Sequence, residues 1–402
     1  MAGTGSHVGL PLRGRGARTC VGPTYTETGG RVDDIRREDL RERLLGRIGA
    51  GVEGEAGDFD ELARGVFAHQ FACNQPYRLF CERRGATPDS VTSWEEIPAV
   101  PTDAFKAAAL VCGDPERTAA IFRTSGTTAG TERRGTHYLR DVALYDAALR
   151  AGFLAHLLPD GAPIRILSLV PRAEEVRDSS LSHMAAEVMR DYGKPGSGTF
   201  VSADFGIAHE EWTAALRTAE EDGEPVCVLG TAFALVHALD AMAARGERFQ
   251  LPHGARLMDT GGFKGRAREV SRGELYGTIG ERLGIAPEWC VNEYGMTEMS
   301  SQFYDGIAGS APADLARRRH VGPPWVRTRA TDPETLRILP HGETGVLRHW
   351  DLANLDSVAF IQTSDLGFTS PEGFRVIGRA QGAEARGCSL AMDDLLSALR
   401  RG

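Results

Sequence analysis

No stretch of the chain is long and apolar enough to form a membrane helix. The longest uncharged run, Pro225 to Leu239, has 15 residues, against about 20 needed to cross a bilayer. The first thirty residues carry Arg13, Arg15 and Arg18 but no continuous apolar core, so they do not read as a secretory signal. Cysteine is sparse: seven in 402 residues, with no C-x-x-C pair and no accompanying His-x3-His. That excludes a small disulfide-stapled scaffold and argues against a zinc site. Free thiols in a reducing cytosol are the plain reading, with room for one reactive thiol among inert ones. Long basic runs are missing as well, and the net charge is −9, which speaks against a nucleic-acid partner. Internal repeats are absent too. A cytoplasmic globular protein is expected.

What is present starts with glycine. There are 48 in 402 residues, about 12%, against roughly 7% in an average protein. No G-X-Y period accompanies them, so the excess belongs in turns, loops and ligand-cradling segments. Apolar residues at 42% and charged residues at 25% are ordinary for soluble domains. The length suits about two or three domains.

The hydropathy pattern predicts an α/β fold. Residues 1–30 read as a flexible tail. Asp33–Ile48 and Asp58–Arg84 read as amphipathic helices, the second with Asp58 as its N-cap. Across 31–320, apolar runs alternate with helical segments, which predicts layers around a mainly parallel sheet. Ile164–Val170, Pro225–Leu229, Ala255–Met258 and Trp289–Asn292 are the expected strands. Across 321–378 the alternation stops. Val326–Ile338, Gly345–Arg348, Ser357–Thr363 and Gly373–Gly378 read as successive strands of a smaller antiparallel β unit. Residues 379–402 form a short tail.

Four segments carry candidate chemistry. In Thr124-Ser-Gly-Thr-Thr-Ala-Gly-Thr131, backbone N–H groups and hydroxyls suit phosphate oxygens, with Arg133 and Arg134 downstream as cations. An ordinary polar turn is the bland alternative, and no Gly-Lys-Ser/Thr follows, so this is not a Walker loop. Asn292-Glu-Tyr-Gly-Met-Thr-Glu298 sits where a strand ends, the place where α/β sheets collect ligands. Asn292 offers a bidentate amide to a purine edge, Tyr294 a stacking face, and Thr297 and Glu298 suit a phosphate and its Mg²⁺. Asp365, in Gln362-Thr-Ser-Asp-Leu-Gly367, is a turn residue or a chelator of two ribose hydroxyls. Gly378-Arg379 means nothing alone. His183 invites a general-base role, with a structural histidine an equal reading.

In order and spacing these segments resemble the adenylate-forming superfamily of acyl-CoA synthetases, adenylation domains and luciferases. Tyr294-Gly-Met-Thr-Glu298 is similar to its Tyr-Gly-x-Thr-Glu motif, and Asp259-Thr-Gly-Gly-Phe-Lys264 to its glycine pair beside adenine. Ser364-Asp365 and Gly378-Arg379 resemble its ribose-binding and hinge motifs. Phe105-Lys106, Tyr138-Leu-Arg-Asp141, Asp178–Met184 and Arg386-Gly-Cys-Ser389 resemble, more narrowly, the LuxE-type acyl-protein synthetases.

The resemblance implies the superfamily's layered body over 31–378. It also implies an ATP-dependent acid–thiol ligase that forms acyl-AMP. Thr124, Ser125, Gly126, Thr127 and Thr128 would wrap the phosphates. Gly261 and Gly262 would lie beside adenine, with Asn292, Tyr294 and Gly295. Thr297 would contact the α-phosphate, Glu298 would hold Mg²⁺ and Asp365 the ribose. A fatty acid is the default substrate, with Phe200–Phe205 and Gly230–Leu235 as candidate acyl-pocket segments. An acyl-accepting reductase or carrier protein is the implied partner, and a homo-oligomer is left open.

Only 23 residues follow Arg379, too few for the C-terminal domain that supplies a catalytic lysine in most of the superfamily. Lys264 or Arg379 would have to substitute. Cys388 on the short tail would take the acyl group as a thioester, with mobility to reach the adenylate and Arg386 favouring its thiolate. Two alternatives stay open: a coenzyme A or carrier-protein ligase of the same superfamily, and a nucleotide-binding subunit without turnover.

Overall fold

The computed structural model describes residues 27–54, 57–125, 133–261, 270–380 and 386–400. Three helices lead: α1 (Glu27–Gly49), α2 (Phe59–Cys73) and α3 (Gln75–Arg83). Then come β1 (Val100–Pro101), α4 (Ala104–Ala107), and the pair β2 (Ala120–Arg123) and β3 (Thr136–Leu139). An alternating stretch follows: α5 (Ala143–Leu157), β4 (Arg165–Leu169), α6 (Ser180–Tyr192), β5 (Gly198–Thr199), α7 (His209–Asp222), β6 (Val226–Thr231), α8 (Ala232–Ala244), β7 (Arg256–Thr260), α9 (Arg272–Leu283) and β8 (Cys290–Tyr294). The chain ends in β9 (Phe303–Tyr304), β10 (Val326–Thr331), β11 (Gly345–Asp351), β12 (Phe360–Ser370), β13 (Gly373–Arg379) and α10 (Arg386–Leu399).

The alternating stretch builds a six-stranded sheet in the order β5-β4-β6-β7-β8-β9, parallel except for β9. Its central strands are buried on both faces and mostly apolar, with polar residues such as Asp259, Thr260, Asn292 and Glu293 gathered toward their carboxyl ends. In β6, Val226 and Val228 point to α7, α8 and α9, meeting Trp212, Leu239 and Ile279. Cys227 and Leu229 point the other way, to Leu149 and Phe153 of α5 and Val188 of α6.

A second sheet has the order β1-β12-β11-β10, with β13 on the far half of β12. It is antiparallel except for β1, which arrives from the N-terminal third and runs parallel to β12. Its core is shared with α1, α2, α3 and α10, through Leu44, Phe67, Phe80, Trp350, Phe360 and Leu395.

Several sequence expectations change. The predicted Asp58–Arg84 helix is two helices. Pro76 cannot donate to the preceding turn, and Asn74 restarts the chain by accepting from the Tyr77 N–H at 3.2 Å. Asp58 makes no cap bond; its carboxylate pairs with Arg47 and Arg43. The strand expected over Val326–Ile338 ends at Thr331, and the chain turns through Leu336 at φ 58°. The tail read over residues 1–30 lies outside the described residues up to 26, and α1 begins at Glu27.

The cysteines also differ from the plain reading. Cys73 and Cys112 form a disulfide with Cα atoms 4.7 Å apart. Their 39-residue separation hides the pairing. It arises because Cys112 N–H bonds the Asp356 carbonyl at 2.8 Å, carrying that segment onto the end of α2. Cys81, Cys227, Cys290 and Cys388 are free and buried.

Candidate active site

Tyr294 closes β8 at the carboxyl end of the parallel sheet, and its hydroxyl crosses to the second sheet. It donates to Asp365 Oδ2 at 2.7 Å. The other carboxylate oxygen, Oδ1, accepts from Arg379 Nε at 2.9 Å. Asp365 is therefore no turn residue. It sits inside β12, 8% exposed, directly opposite Arg379 in the β12–β13 register. The hairpin explains why two residues 14 apart meet. Asp365 and the hydrogen bond it makes raise the Arg379 guanidinium above its ordinary value. Burial first, and then Asp365, pushes the Tyr294 hydroxyl far above the usual tyrosine range. Phe303, Phe374, His320 and His349 surround the Tyr294 ring with centroids 5.4–5.8 Å away, so the ring is held in one orientation.

The turn after Tyr294 is fixed from its backbone. Buried His137 on β3 donates Nδ1–H to the Thr297 carbonyl at 2.8 Å. Burial lowers this imidazole to about 4, so it stays neutral. Asn354 Nδ2 donates to the Glu298 carbonyl at 2.6 Å. Asp351 Oδ2 accepts from the N–H groups of Ser300 and Ser301, each at 2.8 Å. No motif in the sequence marks His137, Asp351 or Asn354; they are scattered residues joined only by the fold.

Glu298 is 7% exposed, and its side chain faces the neck of the predicted phosphate loop. A Cβ placed on Gly135 would lie 3.1 Å from Thr124 Cγ2 and 3.6 Å from Glu298 Oε1. Thr124 and Gly135 close that neck: Thr124 N–H bonds the Gly135 carbonyl at 3.0 Å, and Gly135 N–H bonds Thr124 Oγ1 at 2.9 Å. Arg134 is not aimed at a ligand. It holds the carbonyls of Arg123 and Thr124 and the carboxylate of Asp178. Ser125 is exposed at the start of the loop. Gly126, Thr127 and Thr128 lie outside the described residues, as do Gly262 and Lys264.

Gly261 follows β7 at φ +69°, and among the described residues nothing lies within 4 Å of where its Cβ would stand. Only glycine takes that backbone without strain. Asn292 is corrected. Its Nδ2 donates to Asp259 Oδ2 at 2.8 Å and to the Asp259 carbonyl at 3.2 Å. Its Oδ1 accepts from Arg272 and His320 at 2.9 and 2.8 Å. With every amide group engaged, it frames the strand ends and presents no edge to a purine. Gly295 is exposed beside Tyr294. His183 Nε2–H donates to Asp146 Oδ1 at 2.7 Å, and the ring packs on Phe122 and Tyr145, a structural placement. Phe200 packs edge-on to Trp212 in the α7 core.

Cys388 departs most from expectation. Its segment is no loose tail: α10 packs on α3, α4, β1 and β12. Asp394 is tied to Arg83 and Arg84 at 3.0 Å each. The thiol is 8% exposed and donates to the Thr363 carbonyl at 3.5 Å. Burial raises it above the ordinary thiol value, against the opposing pull of Arg348. The thiolate is therefore disfavoured in this docked position. Thr363 is two residues from Asp365 on the same strand, about 7 Å along β12. The thiol thus rests close to the candidate ribose site while shielded from solvent.

Solved structures share this architecture. A 2-hydroxyisobutyryl-CoA ligase in its open conformation superposes with a TM-score of 0.56 at 16% identity, over 82% of this chain and 76% of that one. The same ligase in its postadenylation state gives 0.58 at 15% identity, over 82% and 69%. The likeness is one of fold, and it sets the class of architecture: the body of this CoA ligase. Within that class, residues 59–397 match the acyl-protein synthetase family LuxE, and the chain belongs to that family. It is accordingly an enzyme of the ligase type. Two relatives are long-chain-fatty-acid–luciferin-component ligases. The one from Vibrio harveyi is 23% identical over 355 residues, 85% of this chain and 89% of its own length. The one from Aliivibrio fischeri is 22% identical over 351 residues, 84% and 88%. Among the described residues, no helix is long and apolar enough to cross a membrane.

Proposed function

We propose that the enzyme activates a carboxylic acid with ATP, as acyl-AMP, and hands the acyl group to a thiol. The observation that carries this reading is Asp365, held between Tyr294 and Arg379 at the junction of the two sheets. A buried carboxylate there suits two vicinal hydroxyls of a ribose. The backbone at Gly261 would lie beside the adenine, and the Thr124–Gly135 neck would place the loop that wraps the phosphates. Glu298, a buried carboxylate facing that neck, fits the oxygen donors a divalent cation needs. Bound there, Mg²⁺ would offset the negative charge that meets as a carboxylate approaches the α-phosphorus. Thr297 would orient the α-phosphate. Arg379, or Lys264, would supply a cation to the adenylation step.

In the second half-reaction a thiol sulfur attacks the acyl carbonyl. The carbon–sulfur bond forms, the bond to the phosphate oxygen breaks, AMP leaves and the thiol proton passes to solvent. Cys388 is the proposed acceptor, with a reductase that takes the acyl group onward as the partner. A fatty acid is the default substrate of the family resemblance. Pyrophosphate exchange against a panel of acids, followed by mass spectrometry of Cys388, tests both halves. Cys388→Ser is expected to keep exchange and lose hydroxylamine-labile acyl label. Label that persists in Cys388→Ser rules out this acceptor. The docked position of Cys388 favours one second reading, in which coenzyme A or a carrier-protein thiol accepts directly; acyl-thioester formed on adding coenzyme A to Cys388→Ser supports it.

A further inference from the structure

Glu293 precedes Tyr294 on β8, and the two-residue alternation of a strand turns it to the opposite face. Its side chain is 5% exposed. It accepts a hydrogen bond from Thr260 Oγ1, at the carboxyl end of β7. Among the described residues no Lys, Arg or His pairs with it. A buried carboxyl without a cation is expensive to keep, and nothing in the adenylation roles above uses this one.

Its surroundings are incomplete in the same sense. Tyr304 stands directly across from Glu293 in the β8–β9 register, which sets the two Cβ atoms about 5 Å apart on one face. The Tyr304 ring is 1% exposed, and its hydroxyl has no partner among the described residues. Gln302, 7% exposed, has an unpartnered Oε1. A Cβ on Gly295 would collide with Glu293 Oε1 and lie 3.9 Å from Gln302 Cγ. So the glycine of the motif leaves the Glu293 carboxyl room, and Gln302 borders the same spot. Buried polar groups in native proteins are nearly always satisfied. Here a carboxyl, a tyrosine and an amide oxygen occupy adjoining positions of β8 and β9 near the carboxyl end of β8, the end of a parallel sheet where ligands bind, and among the described residues only Thr260 answers them.

We propose that Glu293, supported by Thr260 and Tyr304, reads a hydrogen-bond-donating group, a hydroxyl or an ammonium, on the substrate acid. The preferred substrate is then a functionalised acid in place of the plain alkanoic acid of the family default. The inference rests on the adenylation reading. A site built to bond a donor rejects the analogue that lacks it, because its own polar groups are left unpaired.

The test is pyrophosphate exchange with matched acids of one chain length: the alkanoic acid, its hydroxy derivative and its amino derivative. Wild type is expected to show at least about a tenfold higher kcat/KM for a donor-bearing acid than for the alkanoic acid. Glu293→Leu is expected to bring that ratio to about one or below while exchange with the alkanoic acid persists. Glu293→Gln sorts the two donors: preference for the hydroxy acid survives, and preference for the amino acid is lost. Should Glu293→Leu fail to fold, Thr260→Val serves as the second variant, and its ratio is expected to fall in the same direction. A merely structural carboxyl would change overall rate or stability and leave the ratio alone. Equal or better use of the alkanoic acid by wild type overturns the inference and leaves adenylation standing, as does a ratio unmoved in folded variants. No exchange with any acid overturns the adenylation reading and this inference together.

Discussion

Asp365 collects two hydrogen bonds that arrive from different sheets, and each tests differently. Asp365→Ala is expected to raise KM for ATP roughly 10- to 100-fold, the range for losing bonds to a charged group, and to lower the melting temperature as well, because the Tyr294 hydroxyl loses its acceptor. Tyr294→Phe removes one bond only and should cost less than about tenfold. Steady-state kinetics on both variants check the order. Glu293 makes a pH prediction. Burial lifts its carboxyl from 4.5 to about 7, with the Thr260 bond pulling the other way. Between those values the folded protein keeps a proton that the unfolded chain has released, so stability falls as pH rises through the window and is level above it. The loss is a few kcal/mol at most. Glu293→Gln keeps an acceptor for Thr260 and removes the titration. Its melting temperature should exceed that of wild type at pH 8 and converge with it at pH 5; parallel curves would mean the carboxyl is ionised throughout. Tyr294, Glu298 and Asp365 were legible in the sequence as candidate site residues because they fall in contiguous motifs. Glu293 lay inside one of those motifs and still escaped notice, because a carboxyl's lack of a cation is a property of its neighbours.

Among the elements, α10 separates what a linear reading can and cannot see. The Cys388 segment was legible as the place for a thiol, yet its docking was not. The apolar positions Ala391 and Leu395 need α3 and β1 as partners, and those elements lie some three hundred residues upstream. Docking also reverses the expected reactivity. Cys388 should react with iodoacetamide more slowly than a free thiol at pH 8, because burial raises its pKa. Leu395 is fully buried; Leu395→Ala should cost about 2–5 kcal/mol if the cavity does not collapse and should speed alkylation of Cys388. Unchanged alkylation in a destabilised variant would show that the thiol is reached without moving the helix. The β12–β13 hairpin teaches the converse. One of the two readings of Asp365 made it a turn residue, because the strand was expected to end at Thr363. Strand ends are set by pairing with β11 and β13, which no local window contains.

For the whole molecule, strand–helix alternation across the middle of the chain was enough to predict a parallel sheet with helices on both faces. The second sheet was legible as antiparallel, except for β1. A two-residue strand at Val100 carries no periodic signal and is recruited entirely by its partner β12. The Cys73–Cys112 link belongs to this scale as well. It joins the helical N-terminal third to the segment entering β2. Closing a loop of that size is worth about 4 kcal/mol in the chain-entropy picture. Reduction should lower the melting temperature by several degrees, and Cys112→Ser should reproduce the drop without reductant. A thermal melt that ignores reductant would show the bond contributes little.

The stitching of β1 to β12 has a further consequence during synthesis. Gln70 and Asn74 on the early helices find their partners in the backbone of Asn354, Leu355, Ser357 and Ala359. Ribosomes add about 5–20 residues each second, so these polar groups, and the apolar face around Phe67 and Phe80, wait on the order of tens of seconds for the strand that covers them. The nascent N-terminal third is therefore client surface for chaperones until β12 emerges, while the central parallel sheet can close earlier on its own.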